Sequence, residues 1–414
     1  MNKIITSSLS PNFEKDDISL MFKNILAFWK WKRGDNIKEL ELSFSKENGL
    51  GKCYSFNSGR SCLIAILKLL KIKKGDEIIV QGFTCNAVIN PIIKIGAKPV
   101  FVDIKADLNI DEKKIQSAIS SKTKAIIVQH TFGLPSEIEE IKDICKDNNL
   151  YLIEDCAHSL GAKYNNKYCG SFGDVSFYSF GRDKIISSVF GGMLGLNNKD
   201  LEKEMDKIYE NFEYPSYFWI LSQLLYPIVM EYIFLPLFKF RLGRIFYSVM
   251  FELNIFSLRS VVKKENQGVM PIYFGKRLPN ILALLALNQF KKLDKFNKHR
   301  KKIAQEYFKE FKNSLIKTVY NNDFYKKEPI FLKFPILTNN SDVILKNLRK
   351  QNMFLNDGWR ETIVVPPLTD QKKMRYIKGS CIMGEKISKE ILSLPTHIKI
   401  SLEDARKIAS IIKK

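Results

Sequence analysis

No two of the seven cysteines, at 53, 62, 85, 145, 156, 169 and 381, form a CxxC pair, and their number is odd. A zinc ribbon needs paired thiolates and a secreted disulfide framework needs an even set, so both are excluded. The opening residues, MNKIITSSLSPNFEKDD, lack an apolar run and a small-residue cleavage site. That predicts no signal peptide and a reducing, cytoplasmic setting. Internal repeats and low-complexity tracts are missing too. Acidic residues are in short supply: 44 Asp+Glu stand against 66 Lys+Arg, a net charge of +22. Such an excess draws a chain toward nucleic acid, acidic lipid headgroups or phosphorylated metabolites, although a general lysine bias gives the same number. What the chain does have is 414 residues at 45% hydrophobic content. This rules out a disordered or small stapled scaffold and leaves room for two or three domains.

Between residues 55 and 200 short apolar runs alternate with amphipathic patterns. Ile78–Val80, Pro99–Asp103, Ala125–Gln129, Tyr151–Asp155 and Asp174–Phe180 read as strands, and Ser61–Leu70, Ile110–Ile119 and Ile138–Asn148 read as helices. Alternation at this spacing predicts an α/β fold, a mostly parallel sheet sandwiched by helices. Runs such as AIIV are apolar at every position, as strands buried on both faces must be. From about 290 the pattern changes. A long basic helix over Phe290–Leu315, strand-like PIFLKFPIL and ETIVV, and a helix starting at Leu402 behind a Ser401 cap predict a smaller C-terminal α+β domain. The basic helix is read as a solvated face. The expected division is an N-terminal arm with entry helices (1–54), a large domain (55–210), an apolar insertion (211–270) and the small domain with its linking helix (271–414).

Tyr214–Phe238 reads YPSYFWILSQLLYPIVMEYIFLPLF, with one formal charge, Glu231, and prolines at 215, 227 and 236. It is long enough to span a bilayer, but Pro227 and Pro236 are expected to interrupt a straight helix. Its aromatics suit a membrane interface, as do Phe28-Trp29-Lys30-Trp31-Lys32-Arg33. Three readings stand: docking on an anionic membrane surface, a buried core or subunit interface, and a true span. Nucleic-acid binding rests on charge alone and is set aside.

Candidate chemistry clusters at the ends of the expected strands, where α/β proteins place ligands. Ser58-Gly59-Arg60-Ser61 opens an apolar helix, so free N–H groups and the Arg60 guanidinium can receive an anion. Gln81-Gly82-Phe83-Thr84-Cys85 follows a strand. Asp155 ends an apolar strand, where a carboxylate is expensive unless something cationic meets it. His158 follows three residues on, within reach of a ring. Asp174-Val-Ser-Phe-Tyr-Ser179-Phe-Gly-Arg-Asp-Lys184, with Gly191-Gly192 behind it, is a strand running into a loop that ends in a lysine, a place suited to a Schiff-base amine.

In order and spacing, SGRS…GDEIIVQGFTCNAVINPIIKIGAKPVFVDI…TKAIIVQHTFG…YLIEDCAHSLGAKYNNKYCGSFGDVSFYSFGRDK…GGM resembles the DegT/DnrJ/StrS family of pyridoxal-phosphate (PLP) sugar aminotransferases. The resemblance runs from Phe56 to Asn197 and resumes at Arg277–Tyr307 and Cys381–Ile400. It implies fold type I with a seven-stranded sheet and PLP as cofactor. It further implies that Lys184 carries the cofactor as a Schiff base, that Asp155 meets the pyridine nitrogen and that His158 lies beside the ring. Gly59, Arg60 and Ser179 then hold the phosphate. Dehydratases of the family carry histidine where Lys184 stands, so lysine favours transamination. The chain departs from the pattern at Cys85, where an aromatic usually stacks on the cofactor and which His158 or Phe83 is expected to replace. It departs again at Arg60, where Thr is usual. At Tyr273-Phe274-Gly275-Lys276 relatives have Gly-Tyr-Asn, whose Asn reaches a neighbouring subunit's cofactor.

The activity so implied moves an amino group from an amino acid, glutamate in relatives, to a keto-sugar, nucleotide-linked, in polysaccharide or glycoconjugate biosynthesis. A homodimer in the cytoplasm, peripheral to the inner membrane face, is expected. The rivals are a PLP sugar dehydratase, a transaminase for another carbonyl compound and a non-catalytic membrane-associated accessory protein.

Overall fold

The computed structural model describes residues 4–7, 12–238, 242–257, 263–320, 324–355 and 358–414. Positions 1–3 and 8–11 of the expected arm, and 239–241 and 258–262 of the expected insertion, lie outside the described residues.

Seven strands form the central sheet: β1 (Lys52–Phe56), β2 (Glu77–Gln81), β3 (Lys98–Val102), β4 (Thr123–Gln129), β5 (Tyr151–Asp155), β6 (Val175–Ser179) and β7 (Gly192–Leu196). Their order is β1-β7-β6-β5-β4-β2-β3. The β6–β5, β5–β4, β4–β2 and β2–β3 pairs are parallel, and β7 runs against both its neighbours. The apolar runs split by the two-residue period of a strand. Ile78, Val80, Ala125, Ile127, Ile153, Val175 and Phe177 face the Gly59–Leu69 and Asn86–Lys94 helices. Their alternates Ile79, Val102, Ile126, Val128 and Leu152 face Ile115, Ile138, Ile141 and Cys145 on the opposite helical layer.

A second, antiparallel sheet joins Lys317–Thr318, Lys333–Leu337 and Ile391–Pro395. The Leu293–Phe311 and Leu402–Ile412 helices cover it with Ile303, Tyr307, Ile408 and Ile412. Ser401 caps the last helix as expected, accepting from the Asp404 N–H at 3.0 Å while Asp404 caps back. The basic helix starts later than expected, because Asn280–Phe290 is a separate helix that ends at Lys291. Its solvated face has a buried counterpart in Phe296, Arg300, Ile303 and Tyr307.

The prolines do not break the apolar stretch. Tyr217–Phe238 is helical throughout, with a π-turn over Met230–Phe234 between two α-helical parts. Proline removes one N–H from the ladder, and a π-turn relaxes the hydrogen-bond spacing just ahead of Pro236. By length and hydropathy this helix could cross a membrane, but 44% of its apolar window is buried inside the protein. Ile220, Leu224, Tyr226 and Phe234 belong to the same core as Phe44, Phe180 and Leu282. The Phe218 ring is 83% exposed.

Candidate active site

Parallel strands bring their carboxyl ends to one edge of the sheet, and there the candidate residues meet. Gly59 and Arg60 open the helix that follows β1, and Cys85 lies just beyond β2. Gln129 ends β4, Asp155 ends β5 and Ser179 ends β6. With His158, Arg182, Lys184 and Trp359 they line a cavity of about 330 Å³. ETIVV reaches it from the far end of the chain, because Val364–Val365 pairs in parallel with Thr84–Cys85.

Asp155 is buried, and one carboxylate oxygen accepts the Ala157 N–H at 3.0 Å. No cation lies within ion-pair distance of it among the described residues. Burial lifts its carboxyl from the usual 3.8 to about 6, against the pull of the Ala157 N–H and of Lys184 and His130. His158 is pushed well down by burial and by Lys184 and Lys333, so its ring is neutral at pH 7. Its Nδ1 accepts the Phe132 N–H at 3.4 Å, leaving the proton on Nε2. The ring stacks on Phe132 with centroids 5.6 Å apart and meets Trp359 edge-on at 4.9 Å.

The start of the Gly59–Leu69 helix is shaped for an anion. Ser58 caps it by accepting from the Ser61 N–H at 3.1 Å, which leaves the first N–H groups facing outward. Gly192 lets β7 pass close beneath, since a Cβ there would lie 2.6 Å from the Gly59 nitrogen. Lys184 sits in the loop after β6. Its N–H donates to Gly181 at 3.2 Å, and its carbonyl accepts from Asn12 Nδ2.

Two expected roles need correction. Phe83 does not line the cavity. It is fully buried among Ile104, Leu108 and Val365 and packs on Trp359 at 5.6 Å, and of the rings that touch His158 it is Trp359 that lines the cavity. The Arg60 guanidinium is already engaged: Nη2 donates to Glu265 Oε2 at 2.8 Å, Nε lies 2.5 Å from Oε1, and the group sits over the Phe274 ring. Glu265 is 1% exposed. Glu265→Ala is therefore expected to lower stability by about 3 kcal/mol, because it strands a largely buried cation. Arg60→Met combined with Glu265→Met is expected to recover most of that loss in denaturant titrations. Trp359, Arg182 and Gln129 were missed as site residues. Trp359, one of four tryptophans and preceded by Gly358 in a polar stretch, was the one with a usable signal.

A parallel sheet with a lysine loop, a buried aspartate and a glycine-lined helix start at its carboxyl edge is the frame of a fold type I PLP enzyme. The chain belongs to the DegT/DnrJ/EryC1/StrS aminotransferase family, whose description matches residues 12–214 and 248–413. The residues between the two matched parts contain the apolar helix. Among curated relatives, GDP-perosamine synthase of Escherichia coli O157:H7 is 38% identical over 174 residues, 42% of this chain and 48% of that protein. The dTDP-3-amino-3,6-dideoxy-alpha-D-galactopyranose transaminase of Aneurinibacillus thermoaerophilus is 26% identical over 98% of this chain and 97% of its own. In fold the chain is similar to Spr1654 of Streptococcus pneumoniae in its PLP form, with a TM-score of 0.75 at 22% identity over 98% of this chain and 97% of that one.

Proposed function

We propose that the protein is a PLP-dependent aminotransferase that moves an amino group from an amino acid, glutamate by family resemblance, to a nucleotide-linked keto-sugar for glycan biosynthesis. The observation that carries the reading is a buried Asp155 that meets no counter-ion among the described residues, in the same cavity as Lys184 and the open helix start at Gly59. The fit is chemical at both ends of the cofactor. An unpaired carboxylate suits a protonated pyridine nitrogen, and outward N–H groups beside the Ser179 hydroxyl suit a phosphate. Bound there, PLP would supply an electron sink for the carbon that loses a proton next to the transferred nitrogen. Asp155 would hold the ring nitrogen protonated by its negative charge. Lys184 Nζ takes the proton from one carbon and returns it to another as base and then acid. Neutral His158 offers its Nε2–H beside the ring, and Trp359 and Phe190 help to keep water out.

The test is a half-reaction screen. Enzyme loaded with the pyridoxamine form is mixed with nucleotide-linked keto-sugars, and the aldehyde form should return with at least one of them. A deoxygenated product in place of an amino-sugar supports the dehydratase reading. Stoichiometric cofactor without turnover of glutamate or of any sugar supports the accessory-protein reading.

We further propose a homodimer, supported by the family resemblance, and divisions at 54, 210 and 270. We propose too that the enzyme docks on an anionic inner-membrane surface. The observation favouring docking is a patch of exposed Phe22, Leu26, Phe28 and Trp29 beside exposed Lys23, Lys30 and Arg33. It adjoins the start of the apolar helix, where Lys32 Nζ lies 4.2 Å from the centre of the Tyr217 ring. Apolar insertion and cation attraction are the two terms that hold a peripheral protein on a bilayer. Trp219 and Leu224 are core residues and unsuitable for mutation. Leu26, Phe28, Trp29 and Phe218 replaced together by Ser should keep the fold and activity and abolish flotation with phosphatidylglycerol vesicles. In the native chain that flotation should weaken as salt rises. If the variant turns monomeric and vesicle binding is unchanged, the patch is a subunit interface and the docking reading is wrong.

A further inference from the structure

Behind the lysine loop lies a second, much smaller cavity that the transamination chemistry does not use. It measures about 10 Å³, room for a single water-sized occupant. Its walls come from four parts of the chain: Ser7 of the N-terminal arm, Asp183 of the loop before Lys184, Arg300 of the long helix, and Lys333, Ser393 and His397 in and beside the antiparallel sheet. Arg300 is 1% exposed. Its Nη2 donates to Asn12 Oδ1 at 2.9 Å and to the Ile185 carbonyl at 3.3 Å, while Nε and Nη1 have no partner among the described residues. The Ser7 and Ser393 hydroxyls on the same walls also have no partner among the described residues.

An unmatched guanidinium at this depth is costly. A buried charge is tolerated when it is paired and its donors are satisfied, and removing one partner of such a pair is strongly destabilising. The carboxylate on these walls, Asp183, stands 4.0 Å from Lys333. Burial alone pulls Arg300 down to about 9, with no acidic group offsetting it, and at neutral pH it stays protonated. Neutral water would satisfy donors here but would not supply the missing charge.

We propose that this cavity binds one small monovalent anion of the halide class, held by Arg300 and the Ser393 hydroxyl. Its occupation would fix the lysine loop, because Arg300 holds Asn12 and the Ile185 carbonyl, and Asn12 in turn holds the Lys184 carbonyl. The anion is thus a clasp between the N-terminal arm, the small sheet and the loop, distinct from the phosphate end of the main cavity.

Two measurements test this on the whole protein. Thermal unfolding in sodium chloride or bromide, set against sodium gluconate at equal ionic strength, should show a saturable halide-specific rise in midpoint of about 2 °C or more. Crystals soaked in bromide should give an anomalous bromine peak against the Arg300 guanidinium. Arg300→Met should lose the halide-specific rise, and if it fails to fold, Ser393→Ala should weaken the halide dependence. Superposed halide and gluconate curves, or an Arg300 cavity without a bromine peak, mean that the cavity holds water, and the proposal falls.

Discussion

Lys184→Ala is expected to purify without the yellow colour of the native protein and to transaminate at least about a thousandfold more slowly, since both the covalent attachment and the proton carrier go with one amine. The loss should be chemical, not structural. The loop is held through its backbone, by Asn12 on the Lys184 carbonyl and by the Lys184 N–H on Gly181. Neither contact involves the side chain, so the unfolding midpoint of the cofactor-free variant should match that of cofactor-free native protein. Turnover above a tenth of native would remove Lys184 from the chemistry.

Asp155→Asn should separate activity from stability in opposite directions. Removing the negative charge that holds the ring nitrogen protonated should lower kcat by about a hundredfold to a thousandfold, or roughly 3–4 kcal/mol of transition-state stabilisation. In the cofactor-free protein the same change should stabilise. Asp155 in the fold has a carboxyl raised from 3.8 to about 6 by burial, so between those values the folded chain binds more protons than the unfolded one. Stability contributed by the protonated form is therefore present below pH 4 and lost as pH rises through 6. Above that, the charged carboxylate costs the cofactor-free fold about 3 kcal/mol. Asn carries no such cost, so the variant should be the more stable at pH 8 and the advantage should vanish near pH 4. Equal stability of the two proteins across this range would mean that a cation already meets Asp155.

The parallel sheet was readable because its strands are apolar at every position and end in polar residues. Tyr151–Asp155 falls on the strand expected, and the other four are matched to within two residues at either end. The antiparallel strand β7 and its edge neighbour β1 were not read. Lys52–Phe56 has a mixed pattern and Gly192–Leu196 is rich in glycine, so neither carries the signature of a buried strand. At the site, the residues tied to strand ends stood out, because a carboxylate or a lysine there has few structural reasons to exist. Trp359 and Glu265 reach the cavity region from distant segments through tertiary packing, which one-dimensional spacing does not encode. The same limit explains Phe83. It is adjacent in sequence to the cavity residue Cys85, yet its side chain turns into the cluster that supports Trp359. Proline content misled for a different reason: Pro227 sits inside a continuous α-helix, and ahead of Pro236 the ladder shifts into a π-turn, a device with no sequence signature of its own.

Borohydride reduction of the native protein, followed by mass mapping of the cofactor-bearing peptide, tests the central claim most directly. The account expects one adduct per chain, on Lys184, with every other lysine unmodified. An adduct on Lys333, the buried lysine whose charge is felt by His158, or on Lys163 or Lys167 of the neighbouring hairpin, would contradict it.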